Sequence, residues 1–172
     1  NLLPNLANHL KRGNSLIADQ SVAGDTAFDW QKEFPEVMKR GGFDVVIGNP
    51  PYGAFFSSED AKYLAASFES FQKGVRDVYA CFLEQSFRLG CKGAKTGFIV
   101  PSAWLGGPDY QPLRQQLLKW RIEAVIDLPF DIFPDAYVDT AIVLFSVVQF
   151  EANEVRTFAF PKKFKIEKQI QI

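Results

Sequence analysis

With 172 residues, 47% of them hydrophobic and seventeen of them Phe, the chain can bury the core of one domain, which excludes a disordered or fibrous protein. A formal net charge of −1 and a pI near 5.9 argue against a free-standing nucleic-acid binder, so any grip on a DNA backbone must come largely from elsewhere. His9 is the only histidine, and Cys81 and Cys91 give neither a disulfide framework nor a metal spacing. A histidine triad and a histidine metal site are thereby excluded, and free thiols in a reducing cytoplasm are expected. No signal peptide and no membrane-length apolar run is present, so a membrane partner is not expected. The start at Asn1 without an initiator Met reads as a piece of something larger.

In chain order, residues 6–12 fit a short strand ending at Gly13, and the polar, Gly-containing text from Asp19 to Asp29 fits a loop. Trp30, Phe34, Val37 and Met38 recur at helical spacing, with Pro35 splitting the element and Gly41-Gly42 closing it. Val45, Val46 and Ile47 then form a β-branched run that reads as a fully buried parallel strand, ending at Gly48. Ser57 to Asp60 supplies a capping-box start for a helix with Leu64, Phe68 and Phe71 on one face. A second helix spans Asp77 to Leu89, with Tyr79, Phe82, Leu83, Ser86 and Phe87 inward and Gly90 as its stop. A Gly/Lys turn leads to a strand at Phe98–Val100, and Asp109 is placed as the cap of a helix carrying Leu113, Leu117 and Trp120. Ile122 to Leu128 reads as the next strand. The loop Pro129 to Tyr137 separates it from a long apolar strand, Val138 to Val147. The tail, with Lys162, Lys163, Lys165 and Lys168 among alternating apolar residues, fits an edge strand or the start of another domain.

This rhythm is that of an α/β fold, a mostly parallel sheet with helices on its faces. The last two strands share a connection too short for a parallel crossover, so they are antiparallel or separated by another strand. Chemistry concentrates where the run at 45–47 breaks into Asn49-Pro50-Pro51-Tyr52. Both prolines fix φ and lack an N–H, which makes the loop stiff. A stiff loop at the carboxyl end of a parallel strand is where open α/β sheets bind ligands. It offers an amide, a proline-locked carbonyl and an aromatic face, which suit a planar base with an exocyclic amine. The plainer alternatives are an ordinary turn with a rim aromatic and, less compatible with a preceding strand, a polyproline ligand.

Taken together, Gly13-Asn14-Ser15-Leu16, the Phe28–Trp30 and Glu33–Val37 blocks, and Gly41 through Tyr52 resemble the core of adenine-N6 DNA methyltransferases. The likeness is to the fused type II G restriction–modification enzymes and related phage-defence methylases. Asp77–Glu84, Gly97–Pro101 and Phe133–Ile142 continue it. The resemblance implies a Rossmann-like sheet whose antiparallel strand lies near the C-terminal end, with S-adenosylmethionine as methyl donor. Residues 1–150 would be the C-terminal portion of the catalytic domain, and 151–172 an edge strand or the start of a target-recognition segment. It implies a catalytic loop of Asn49, Pro50, Pro51 and Tyr52, base stacking by Tyr52 and Phe133, and cofactor contacts from Asn14, Asp77 and Phe82. Double-stranded DNA, held through further domains, is the implied partner in a bacterial or archaeal cytoplasm; oligomeric state stays open. The family's glycine-rich cofactor loop should precede Gly13, and no Gly-x-Gly occurs in the chain, so the fragment alone is expected to be inactive. Two other readings stay open: a methyltransferase acting on glutamine amides or RNA bases, and a non-catalytic remnant serving as an interaction domain.

Overall fold

Burial alternates with period two along Ala94–Val100 and Ala141–Phe145, the pattern of strands in a sheet with a buried face. The computed structural model describes residues 9–71, 77–129, 132–133, 138–148 and 154–161. Its strands are β1 (Phe43–Gly48), β2 (Gly90–Pro101), β3 (Arg121–Asp127), β4 (Thr140–Ser146) and β5 (Arg156–Ala159). They lie in the order β1-β2-β4-β3-β5. β1 runs parallel to β2 and β3 parallel to β5, while β4 is antiparallel to both of its neighbours. β4 returns reversed and inserts between β2 and β3. The sheet is therefore a mostly parallel α/β sheet with an antiparallel strand near the C-terminal end.

Helices α1 (Gln20–Ala23), α2 (Trp30–Glu33), α3 (Pro35–Lys39), α4 (Ser58–Ser67), α5 (Val78–Leu89) and α6 (Gln111–Leu117) complete the fold. Pro35 separates α2 from α3 and sits at the first turn of the latter, where a missing N–H costs nothing. The capping box forms as Ser57 and Asp60 exchange side-chain bonds with each other's amides. α5 joins two cores. Its Tyr79, Leu83 and Phe87 pack with Phe98, Val100, Val143 and Phe145 of the sheet and with Leu113 and Leu117 of α6. Its Val78 and Cys81 pack with Leu16, Ile17, Leu64, Phe68 and Phe71. Trp120 stacks on Phe87 at 5.0 Å, and Phe145 meets the same ring edge-on at 5.2 Å. Burial pushes the Cys81 thiol up to about 12, so it is an inert core thiol.

Several expectations need correction. β1 is not buried on both faces: Val46 joins the α5 core, but Val45 and Ile47 point the other way and are 59% and 79% exposed. Among the described residues β1 pairs only with β2, and no described strand covers its other edge. The anticipated strand at 6–12 is absent over 9–12, and residues 6–8 lie outside the described part. The loop at 19–29 contains α1, capped by Asp19, whose carboxylate is held below its usual pKa by the Ser21 hydroxyl and amide. The Gly/Lys turn is instead the first half of β2. Gly90 pairs with Phe43 and Lys95 with Val45, so the extra residues bulge out between them. α6 is preceded by Tyr110 without a side-chain cap, because Asp109 lies inside a single turn of tighter helix, Pro108–Tyr110. Most of the 129–137 loop and the lysine-rich tail lie outside the described residues. Among the described residues no helix is long and apolar enough to cross a membrane.

Register across β2, β4 and β3 is pinned on one face by a polar cluster, since Lys95, Ser146 and Arg121 are successive partners. The Ser146 hydroxyl donates to Glu123 Oε1 at 2.6 Å and the Lys95 ammonium to the same oxygen at 3.0 Å. These two bonds, the hydroxyl first, hold the Glu123 carboxyl below its ordinary value of 4.5. A group whose pKa falls on folding adds stability above its unfolded pKa and loses it as pH drops through the folded value. Glu123→Gln is thus expected to cost about 0.2–1 kcal/mol at pH 7. That deficit should shrink as pH falls below 4.5 and vanish once the native carboxyl is protonated. Urea denaturation at several pH values checks this; a deficit independent of pH contradicts it.

Candidate functional site

The loop leaving β1 is shaped by its neighbours in sequence. Gly48 lies opposite Phe98, and a Cβ there would come within 2.8 Å of the Phe98 ring. Glycine therefore lets the buried ring seat against the strand end. Pro50 is buried whereas Asn49 and Pro51 are exposed, so the stiff dipeptide is anchored at its first proline. Tyr52 folds back, and its hydroxyl donates to Asn49 Oδ1 at 2.6 Å. Burial raises the Tyr52 phenol, which keeps it protonated and a donor at neutral pH.

Asn49, Pro50 and Pro51 border a cavity of about 380 Å³, together with Phe82, Gln85 and Ser86 of α5 and with Ser15 and Trp30. Its walls are mainly apolar, with a few polar groups, the usual make-up of a small-molecule site. Val46 and Phe98 form its floor on the sheet side. On the opposite face, Asn49 also borders a shallower apolar concavity lined by Ile47, Gly97, Ile142 and Leu144. The Asn49 side chain thus stands at the rim between two recesses, at the carboxyl end of a parallel strand.

The residues singled out from sequence are distributed unevenly. Asn49, Pro50, Pro51 and Phe82 meet at the one cavity, with Tyr52 bonded to Asn49. Asn14 accepts from the Leu16 amide at 3.3 Å and pairs with Ala27, and its neighbour Ser15 is the one lining the cavity. Asp77 caps α5 and receives the Gly53 amide, its carboxylate turned to the protein's own backbone. Phe133 sits half-buried in a bend and is not among the side chains lining the cavity beside Asn49; the following residues 134–137 lie outside the described part. Neither Gln85 nor Ser15 has a site role in the sequence reading, where Ser15 appears only within the Gly13–Leu16 block. Gln85 carried one usable signal: it lies three positions after Phe82, on the same helical face. Trp30 belongs to a helical face and to the Phe28–Trp30 block in the sequence, and its indole N–H donates to the Ser15 carbonyl at 2.9 Å and ties the two cavity walls together.

The cavity offers an aromatic side chain, apolar walls and the Gln85 amide, groups that suit a planar heterocycle. Carboxylates for ribose hydroxyls are not among its lining residues.

Known proteins resemble the chain in sequence and in fold. The family described as Eco57I restriction-modification methylase matches residues 2–133. A protein of Methanocaldococcus jannaschii named as a type II restriction enzyme and methyltransferase is 35% identical over 140 residues, 80% of this chain and 12% of that one. A type II methyltransferase of Thermus thermophilus is 32% identical over 111 residues, 60% of this chain and 26% of its own length. Among solved structures, a class I S-adenosylmethionine-dependent methyltransferase of Listeria monocytogenes superposes with a TM-score of 0.55 at 25% identity. That match covers 69% of this chain and 36% of the other. The chain therefore spans between about an eighth and a quarter of the two curated relatives.

Proposed function

The chain belongs to the Eco57I restriction-modification methylase family, and from that premise we propose that it carries the acceptor half of an adenine-N6 DNA methyltransferase site. The reaction is transfer of a methyl group from S-adenosylmethionine to the exocyclic amine of an adenine turned out of double-stranded DNA. One observation carries the reading: Asn49 and Pro50, on a proline-stiffened loop, border the same cavity as Phe82.

The N6 amine is a weak nucleophile because its lone pair is delocalised into the ring. Two acceptors, the Asn49 amide oxygen and the Pro50 carbonyl, engage its two N–H bonds. They favour a pyramidal nitrogen with its lone pair free for the methyl group. Preorganised dipoles of this kind act without reorganisation at the moment of reaction. The bound cofactor supplies an electrophilic methyl. No general base is required before the methyl moves, because the methylated amine sheds one N–H proton to solvent afterwards, which suits a loop without histidine. Tyr52 stacks on one face of the base and Phe133 on the other, offsetting part of the cost of extrusion. Phe82 walls the cofactor's adenine, with Ser15 and Asn14 beyond it. Residues 1–150 would then form the C-terminal portion of a catalytic domain, and 151–172, whose β5 pairs with β3, would be an edge strand of its sheet or the start of a target-reading segment. Other segments of the enzyme would supply the remaining cofactor contacts and most of the backbone grip on DNA.

Incubating the full-length protein with methyl-labelled S-adenosylmethionine and genomic DNA, RNA and a protein extract in parallel tests the reading. Label recovered as N6-methyladenine in DNA is the expected result. Label on glutamine amides or RNA bases would move the site to the rival substrates, and no incorporation would leave the loop as a structural remnant.

A further inference from the structure

Asp77 and Gly53 are separated by 24 positions, yet the Gly53 amide donates to both oxygens of the Asp77 carboxylate, at 3.3 and 3.2 Å. The same carboxylate caps α5 by accepting from the Tyr79 amide. Because Pro50 and Pro51 have no N–H, the first backbone donors after Asn49 are Tyr52 and Gly53. Gly53 has φ +60°, the left-handed region, so the chain reverses there at no steric cost and its amide is free to meet α5. One acidic group thus joins the end of the acceptor loop to the first turn of the helix that carries Phe82 to the cavity.

We propose that Asp77 is a positioning residue for methyl transfer, a tether that fixes the Asn49–Tyr52 loop relative to the Phe82 wall. The proposal rests on the function argued above. Without the tether the loop keeps its prolines but is released from α5 at its far end. The acceptors and the cofactor wall then no longer move as one body. A misplacement of about 1 Å at a reacting centre costs on the order of 100-fold in rate. The plainer role of Asp77 is that of a helix cap and nothing more, and the two roles separate by substitution.

Asp77→Ser retains a hydroxyl able to cap α5, but its side chain is too short to reach Gly53 as well. Asp77→Asn keeps a carbonyl oxygen at the original distance. In the full-length protein, Asp77→Ser is expected to melt like the wild type and bind S-adenosylmethionine normally while kcat on DNA falls about 100-fold. Asp77→Asn should restore most of that rate. Amide hydrogen exchange at Gly53 gives a readout independent of catalysis: protection is lost in the Ser variant and kept in the Asn variant. An Asp77→Ser enzyme turning over at the wild-type rate, or Gly53 equally protected in both variants, overturns the tether. Loss of cofactor affinity in both variants alike also overturns it, in favour of direct contact with S-adenosylmethionine. Should the wild-type protein methylate no DNA, the functional reading falls, while exchange at Gly53 still decides whether the tether exists.

Discussion

Asn49→Ala in the full-length protein is expected to lower kcat for methyl transfer by about 100- to 1,000-fold while leaving affinity for S-adenosylmethionine intact, as removal of one preorganised hydrogen-bonding group does elsewhere. The asymmetry follows from what the side chain touches. Asn49 is exposed at the cavity rim, and among the described residues its oxygen is bonded only by the Tyr52 hydroxyl, so the core gives up no packing when the amide is removed. Asn49→Asp supplies the control: a carboxylate presents an acceptor at the same place and should retain measurable turnover. Equal loss in the Ala and Asp variants would show that the amide's N–H₂, and not its oxygen, matters. Near-normal turnover in Asn49→Ala would remove the acceptor role altogether.

Legibility in the sequence followed how local each determinant is. α5 was readable end to end, because Asp77 and Gly90 mark its ends and Tyr79, Leu83, Ser86 and Phe87 fall on one helical face. The capping box at Ser57 and the split at Pro35 were equally local. The reversed β4 was within reach only as one of two options, because a short connection excludes a parallel crossover without naming the neighbour. What the sequence could not display was context across the sheet. A run of Val45, Val46 and Ile47 looks the same whether both faces are covered or one is open, and here the strand stands at the edge. Nor does any pattern mark the bond from Gly53 to Asp77, since a backbone amide has no residue type. At the site, the Asn49–Tyr52 loop stood out because proline and glycine restrict backbone geometry directly. Ser15 and Gln85 did not, since an ordinary polar residue gains meaning only from what folds against it.

Tyr52 joins two roles that substitution can pull apart. Tyr52→Ala removes the stacking face and is expected to weaken binding of an extruded adenine by about 1–3 kcal/mol. That corresponds to about 5- to 150-fold in affinity. A 2-aminopurine at the target position should then show less extrusion fluorescence than with the wild type. Tyr52→Phe keeps the ring and deletes only the hydroxyl, which at 2.6 Å occupies the Asn49 oxygen that an incoming amine would need under the proposed function. An amine must therefore compete with a phenol held protonated by burial, and raising the pH through neutrality gives no relief. The Phe variant is expected to extrude the base as well as the wild type and to reach saturation at equal or lower DNA concentration. Retained fluorescence with Tyr52→Ala would mean that the ring does not stack on the base. A Phe variant as impaired as the Ala variant would show that the hydroxyl orients Asn49 for the amine instead of competing with it.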